Sequence, residues 1–110
     1  MINKATDVFN RWAQNGKDEG MKKNHFDSYV HIKDIIKKEF QNSTNISVAD
    51  IGCGNGWATG DLLKENFITK AYGYDGAEKM IKKAQAKIQG PSFFQTNLNE
   101  WTPNQQFDII

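Results

Sequence analysis

Two kinds of hydrophobic periodicity divide the chain near residue 45. Before that point, apolar residues recur at the spacing of a helix, in one short stripe and one longer stripe. The short stripe consists of Val8, Phe9, Trp12 and Ala13, and the longer one of Tyr29, Ile32, Ile36 and Phe40. A polar loop at 15–20 separates the stripes, and the polar cluster at 41–45 ends the second helix. The pattern therefore predicts helices within residues 1–42, and we expect the residues of their apolar stripes to lie mainly in the core.

After residue 45, short apolar runs alternate with helical patterns. Strands are predicted at 46–51, 71–75, 92–96 and 107–110, and helices at 57–67 and 77–88. The helix positions expected to face the core are Leu62, Leu63, Phe67, Met80, Ile81, Ala84 and Ile88, and those expected to face solvent are Lys79, Lys82, Lys83 and Lys87. This alternation predicts an α/β fold with a doubly wound parallel sheet, which binds its ligands at the carboxyl ends of its strands.

The end of the first predicted strand carries glycine at every second position. Asp50 ends the apolar run, and Gly52, Gly54 and Gly56 follow it. The dinucleotide fingerprint needs its third glycine one position later, where this chain has Trp57. A phosphate-binding P-loop would need Gly-Lys followed by Ser or Thr, which the sequence lacks. The loop therefore predicts a nucleotide pocket, but one that does not cradle a pyrophosphate.

A second acid, Asp75, ends the next apolar run. It stands about 20 residues after the glycine loop, where a strand–helix–strand unit places a ligand of the ribose. Two carboxylates around a loop that holds no phosphate suit a ligand with a ribose, a methionine-like tail and a positive sulfonium. S-adenosylmethionine is such a ligand, and S-adenosylhomocysteine would be its product.

Three segments then resemble the class I S-adenosylmethionine-dependent methyltransferases, in order and in spacing. They are Asp-Ile-Gly-Cys-Gly-Asn-Gly at 50–56, Tyr-Asp-Gly-Ala-Glu-Lys-Met at 74–80 and Phe-Asp-Ile-Ile at 107–110. The resemblance covers residues 46–110 and implies a Rossmann-like fold with strand order 3-2-1-4-5-7-6. We therefore expect a helical cap segment at 1–45 and, at 46–110, the first four strands of that fold, truncated in or just after the fourth.

The resemblance implies a cofactor-binding role for the loop and for the acid after it. Asp50 would lie under the loop, hold its amides and face the methionine ammonium, while Asp75 would accept hydrogen bonds from both ribose hydroxyls. Glycine would let the backbone approach the cofactor closely. The implied contacts of this part of the site are Asp50, Gly52, Cys53, Gly54, Asn55, Gly56, Asp75 and Gly76.

Two further places complete the implied site. After the third strand, Asn97 stands where many relatives carry an aspartate that accepts from the adenine amino group, and its amide oxygen can still accept. Leu98 would pack on the adenine ring. In the amino-terminal segment, Trp12 would cover the pocket and Arg11 would pair with the methionine carboxylate.

The other reactive side chains predict no chemistry of their own. Cys53 has no partner base in the sequence, so we expect a small buried residue rather than a nucleophile. His25 and His31 fall on different faces of the predicted helix without a cluster at metal spacing, so no metal site is predicted. Asp108 opens the fourth strand, and a structural role is expected for it. No catalytic base can be named, because acceptor contacts usually follow that strand.

Composition bears on partners and compartment. The 110 residues include 14 basic and 13 acidic side chains, for a formal charge of +1, which gives no field that recruits nucleic acid or an anionic membrane. No apolar stretch predicts a signal peptide or a membrane span. A single cysteine fits a reducing compartment. We therefore expect a cytoplasmic protein with a small-molecule methyl acceptor and no nucleic-acid or membrane partner.

Three functions stay open at this point. The favoured one is methyl transfer, with catalysis that comes chiefly from proximity and orientation. The alternatives are a cofactor-binding fragment without turnover and, less favoured, an NAD(P)-dependent oxidoreductase. A fourth strand without a neighbour would expose backbone groups to another copy, so self-association through residues 107–110 or through the apolar surface uncovered there is also expected. The sequence does not identify the acceptor.

Overall fold

The fold is described from a computed structural model over residues 10–11, 13–16, 18–103 and 105–110. Its elements are α1 (Asp18–Phe40), β1 (Ile46–Ile51), α2 (Trp57–Leu62), β2 (Ile68–Asp75), α3 (Glu78–Lys87) and β3 (Ser92–Gln95). Residues 10, 11 and 13–15 are also helical, and the chain turns at Gly16. Three residues of the predicted short stripe, Val8, Phe9 and Trp12, lie outside the described residues. Within those residues, no helix is both long and apolar enough to cross a membrane.

The three strands form one parallel sheet in the order β1-β2-β3. In its register Val48 lies opposite Ala71, and Tyr74 lies opposite Ile51 on one side and Phe94 on the other. Helices follow β1 and β2, which is the connection that parallel neighbours need. The α/β class and the parallel sheet that the alternation predicts are therefore confirmed.

The end of the chain lies along the free edge of β1. Ile109 forms a parallel bridge with Val48, and the Ala49 amide donates to the Ile109 carbonyl at 2.9 Å. This places residues 107–110 where a fourth strand is predicted, but they form one bridge and not a regular strand. The Asp108 carboxylate accepts the Ser47 amide at 2.8 Å, so a side chain occupies the donor that a ladder would use. Asp108 thereby has a structural contact, as expected.

The helices cover one face of the sheet. Leu62 and Phe67 are buried with Val48 and Ile68, and Tyr29, Ile36 and Phe40 of α1 pack against this cluster. The prediction for Ile32 is wrong, because 54% of this residue is exposed. The inward position one turn after Tyr29 belongs to Lys33, whose ammonium pairs with Asp61 at 2.7 Å and Glu65 at 3.2 Å.

Two predicted boundaries also differ. The helix after the loop ends at Leu62 instead of Phe67, since residues 63–66 continue in tighter turns, in which Lys64 and Glu65 donate to carbonyls three residues earlier. Leu63 is half-buried, and β2 begins at Ile68 rather than at Ala71. The exposed pair Thr69 and Lys70 interrupts the apolar pattern at the start of that strand and so conceals it.

The α3 helix agrees more closely with its prediction. Met80, Ile81 and Ala84 are buried, Ile88 is half-buried after the helix ends, and three of the four lysines are exposed. Lys83 differs from its prediction. Its side chain is half-buried and its ammonium donates to the Ala13 carbonyl at 3.4 Å, because the amino-terminal helical segment packs on α3.

The other face of the sheet is aromatic. Tyr74 stacks on Phe94 with ring centroids 5.4 Å apart and contacts Trp101 at 4.8 Å, and Phe107 meets Tyr72 edge-on at 5.5 Å. Helices α1 to α3 lie on the opposite face, so this cover comes from the segment after β3. Part of the apolar surface remains exposed, most of all at Ile110, which is 76% exposed.

Candidate functional site

The loop after β1 turns sharply at three glycines. Gly52, Gly54 and Gly56 have φ angles of 76°, 57° and 83°, in the left-handed region that glycine adopts without strain. The amides of Gly52 and Cys53 both donate to the Tyr74 carbonyl, at 2.7 and 3.1 Å. The loop is thereby tied to the carboxyl end of β2, the edge of the sheet where parallel folds bind ligands.

The three glycines have different surroundings. A Cβ atom at Gly52 or Gly54 would meet no protein atom within 4 Å, so the backbone there borders open space. At Gly56 it would lie 2.6 Å from the Phe93 ring and 3.1 Å from the Ala84 Cβ. Gly52 and Gly54 are therefore placed to contact a ligand, while Gly56 allows α2 to begin directly against the core.

Gly73 in β2 has a similar packing role, which was not predicted from the sequence. A Cβ atom there would lie 2.6 Å from the Phe93 ring and 2.8 Å from the Cys53 sulfur. A glycine inside a strand often marks such a close approach, so its presence in the apolar run before Asp75 could have indicated this packing position. Gly56 and Gly73 together leave room for Phe93 beneath the loop.

Asp75 braces the loop from the end of β2. Only 8% of the residue is exposed. Its Oδ2 accepts the Gly54 amide at 2.9 Å, and its Oδ1 accepts the Ala77 amide at 2.8 Å, just before α3. Each carboxylate oxygen can accept a further hydrogen bond. The structure thus assigns Asp75 the loop-holding contact that was expected of Asp50, and its contact with a ribose stays a prediction.

Asp50 makes a different contact. Its Oδ2 accepts the hydroxyl of Thr59, a fully buried residue of α2, at 2.7 Å. Burial raises the pKa of Asp50, and the nearby Asp75 raises it further against the lowering effect of the Thr59 hydrogen bond. Neither acid forms an ion pair with a described residue. Two mostly buried carboxylates without a cation favour a positively charged ligand beside them.

A cavity of about 180 Å³ opens beside these groups. It is lined by loop residues 52–55 and by Asp50, Trp57 and Met80, and α1 contributes His25. These loop residues are among those predicted for the site, and their contact with a cofactor stays a prediction. His25 was not predicted for this site, because the sequence does not reveal how α1 packs across the loop.

Helix α1 is fixed beside the loop by a polar cluster. The Tyr29 hydroxyl donates to Asp61 at 2.6 Å, and the Lys33 ammonium pairs with the same carboxylate. The Tyr29 ring also meets Trp57 edge-on, with centroids 5.0 Å apart. Burial and the hydrogen bond to Asp61 raise the pKa of Tyr29 well above its ordinary value. On the far side of Trp57 lies a second cavity of about 340 Å³, which the glycine loop does not border.

Cys53 is buried, as expected. Burial raises the pKa of its thiol far above the ordinary range, and the charges of Asp50 and Asp75 raise it further. A thiolate is the nucleophilic form, so this residue is unsuited to nucleophilic chemistry. Among the residues that the structure describes, no group of three or more His, Cys, Asp or Glu side chains could hold a metal ion.

The predicted adenine contacts follow β3 but lie outside the cavity at the loop. Asn97 is exposed, and its amide oxygen accepts the Asn99 amide at 3.1 Å in a local turn. Leu98 is half-buried. The segment is nevertheless anchored to the site, since the Thr96 amide donates to the Asp75 carbonyl at 2.8 Å. Gly76 is half-buried, and its carbonyl accepts from Gln95 at 3.3 Å.

The amino-terminal segment lies at the start of α3. The Asn10 side chain accepts the Lys79 amide at 2.9 Å, and Ala13 is buried with Ala77 and Met80. Arg11 is exposed. Trp12, the predicted cover of the pocket, lies outside the described residues. The segment therefore approaches the site from the side of Asp75 and Ala77.

The sequence of the chain is similar to that of known proteins. Over 63 residues, 57% of the chain, it is 33% identical to the trans-aconitate 2-methyltransferase of Acidovorax sp. strain JS42, of which the match covers 24%. The chain thus spans about a quarter of the length of the curated relatives it matches.

Solved structures share its fold. The chain superposes on a DhpI–SAH complex with a TM-score of 0.69 and 21% identity, over 94% of this chain and 49% of the other. For the magnesium protoporphyrin IX methyltransferase of Synechocystis PCC 6803 with bound SAH, the TM-score is 0.62 and the identity 24%, over 77% and 40% of the two chains. These neighbours support the Rossmann-like classification. The model of the family described as "Methyltransferase domain" matches residues 48–110, more than half of the chain, and the chain belongs to that family.

Proposed function

We propose that this chain is the cofactor-binding part of an S-adenosylmethionine-dependent methyltransferase. The observation that carries the proposal is the open backbone at Gly52 and Gly54 beside two mostly buried carboxylates that form no ion pair with any residue the structure describes. S-adenosylmethionine has the matching chemistry, because its sulfonium and ammonium groups are positive and its ribose offers two hydroxyl donors. Family membership and two structural neighbours that were solved with bound SAH support the same cofactor.

In this proposal each acid binds one part of the cofactor. Asp75 accepts the ribose hydroxyls with the lone pairs that the Gly54 and Ala77 amides leave free. Asp50 faces the ammonium of the methionine tail, and the bare backbone at Gly52 and Gly54 lets that tail lie close to the loop. Asn97 and Leu98, whose segment is anchored through Thr96, bind the adenine.

The chemistry of the bound cofactor is transfer of its methyl group from sulfur to a nucleophilic atom of the acceptor. The residues of this chain contribute by holding the donor in one orientation, and orientation is a large part of the rate enhancement in such reactions. The two carboxylates also stabilise positive charge in a site from which water is partly excluded. A catalytic base is not assigned to any of the described residues.

We propose a small molecule as the methyl acceptor. The relatives named as trans-aconitate 2-methyltransferases act on a small molecule, and the formal charge of +1 offers no general attraction for nucleic acid. The helical segment within 1–45 serves in this proposal as a cap on the cofactor side.

Calorimetry tests the proposal directly. The chain is titrated with S-adenosylmethionine, S-adenosylhomocysteine and NAD in separate experiments. Binding of either sulfur nucleotide without binding of NAD is expected. Binding of NAD alone would refute the proposal in favour of an oxidoreductase.

An Asp75→Ala variant then tests the predicted ribose contact. Loss of a charged hydrogen bond is expected to weaken S-adenosylhomocysteine binding by roughly 1.5–3 kcal/mol. Circular dichroism of the variant shows whether the loop brace that Asp75 also supplies is needed for the fold. An unchanged affinity would remove Asp75 from the ligand site.

A further inference from the structure

The position of His25 at the cavity beside the glycine loop has no role in the site described so far. Helix α1 carries it to the same 180 Å³ space that Asp50 and loop residues 52–55 border. Of the described residues that line this cavity, His25 alone has a side chain that can become positively charged. An imidazole also donates at least one N–H bond in either charge state.

The proposed cofactor has a group that needs such a donor. Its methionine tail ends in a carboxylate, and the two acids of the site can only repel that charge. The resemblance implies this contact for Arg11, but Arg11 does not line the cavity at the loop, and its neighbour Asn10 is bound at the Lys79 amide. His25 is exposed like Arg11, but it does line the cavity, and it is therefore the better placed of the two.

A polar cluster holds His25 in place from one turn away. His25, Tyr29 and Lys33 are spaced by four residues and so lie along one face of α1. Tyr29 and Lys33 both bind Asp61 of α2, at 2.6 and 2.7 Å. The α2 helix begins directly after the glycine loop, so this cluster fixes the distance between His25 and the loop.

We propose that His25 binds the carboxylate of the cofactor tail, and that Tyr29, Lys33 and Asp61 act as positioning residues for it. This inference rests on the proposed function, because it requires a sulfur nucleotide in the site. It makes α1 part of the cofactor site rather than a separate cap. It also predicts that affinity depends on a cluster that the ligand itself does not touch.

The test compares two ligands that differ only at the tail. S-adenosylhomocysteine carries the carboxylate, whereas 5′-methylthioadenosine keeps the adenosine and sulfur but lacks the amino acid part. A His25→Ala variant is expected to bind S-adenosylhomocysteine about tenfold more weakly, the lower end for a charge-assisted hydrogen bond, and 5′-methylthioadenosine unchanged. His31→Ala, on another face of the same helix, is the matched control and should bind both ligands as the parent chain does.

The positioning cluster is tested with the same pair of ligands. Asp61→Asn should reduce affinity for S-adenosylhomocysteine several-fold and leave 5′-methylthioadenosine unaffected. Its control is Asp34→Asn, which removes an exposed pair with Lys38 at 3.0 Å on the same helix. Helix content by circular dichroism establishes that each variant is folded before its affinity is compared.

Several outcomes would overturn this inference. Equal loss for both ligands in His25→Ala would indicate a general packing effect, and no loss for either would remove His25 from the site. A tail-specific loss in Arg11→Ala without one in His25→Ala would return the contact to Arg11. A parent chain that binds neither ligand would refute the proposed function itself, which the other outcomes leave intact.

Discussion

Gly52 borders open space and Gly56 borders the core, so substitutions at these two positions should affect ligand binding and folding stability differently. Alanine at either position would be held at a left-handed φ of 76° or 83°, which costs about 1–2 kcal/mol. At Gly52 this strain is the whole expected cost, because the new Cβ meets no protein atom. Gly52→Ala should therefore lower the free energy of unfolding by about 1–2 kcal/mol.

At Gly56 a packing penalty is added. The new Cβ would lie 2.6 Å from the ring of Phe93, which is itself buried and packs with Cys53 and Ala84. Overpacking of a core typically costs about 1–3 kcal/mol, so Gly56→Ala should lose about 2–5 kcal/mol in all. At about 4 °C per kcal/mol for a domain of this size, the melting temperature should fall by roughly 8–20 °C, against about 4–8 °C for Gly52→Ala.

The assay has two readouts. Urea or thermal unfolding measures the stability of each variant, and titration with S-adenosylhomocysteine at a temperature where both are folded measures affinity. Gly52→Ala should lose most of its affinity, because its Cβ enters the space proposed for the cofactor, whereas folded Gly56→Ala should retain more of it. Equal melting temperatures for the two variants would refute the packing argument, and unaltered binding by Gly52→Ala would refute its place at the ligand.

Three other predictions follow from contacts already described. Partial burial raises the pKa of Asp61, but the hydrogen bonds from Lys33 and Tyr29 outweigh this effect and lower the pKa overall. The contribution of Asp61 to stability should therefore be present above about pH 4 and be lost as the pH falls below that value. The urea midpoints of the parent chain and of Asp61→Asn should converge in acid. The raised pKa of the Cys53 thiol predicts slow labelling by iodoacetamide at pH 8 in the folded chain and fast labelling in urea, and equal rates would contradict its burial. The exposed apolar surface around Ile110 predicts self-association, which a single monomeric species in sedimentation at tens of micromolar would disprove.

The sheet and α3 could be predicted because their patterns are strong and local. Met80, Ile81 and Ala84 recur at helical spacing beside exposed lysines, and the same residues are buried in the structure. The fourth strand was predicted from a comparable pattern, but Asp108 takes the Ser47 amide and interrupts the ladder. A local pattern cannot reveal a side chain that competes with the backbone for a distant donor.

Prediction of the site from the sequence is limited for the same physical reason. The acids and the glycines stand in a motif, so their place at the end of β1 and β2 could be predicted. His25 and Lys33 could not, because their roles depend on how α1 crosses α2, which is fixed by contacts with residues about 30 positions away such as Asp61. Ile32 was expected in the core for the same reason, since the stripe alone does not define which face of a helix is buried.

The two hydrogen bonds that the Asp75 carboxylate accepts have a consequence for protein engineering. One oxygen holds the Gly54 amide and the other the Ala77 amide, so one side chain joins the loop after β1 to the start of α3. In the proposed site, redesign of Asp75 toward another nucleotide would therefore also remove a structural tie between the loop and α3. Selectivity would be more readily altered at His25 or Asn97, proposed ligand contacts that make neither of these two hydrogen bonds.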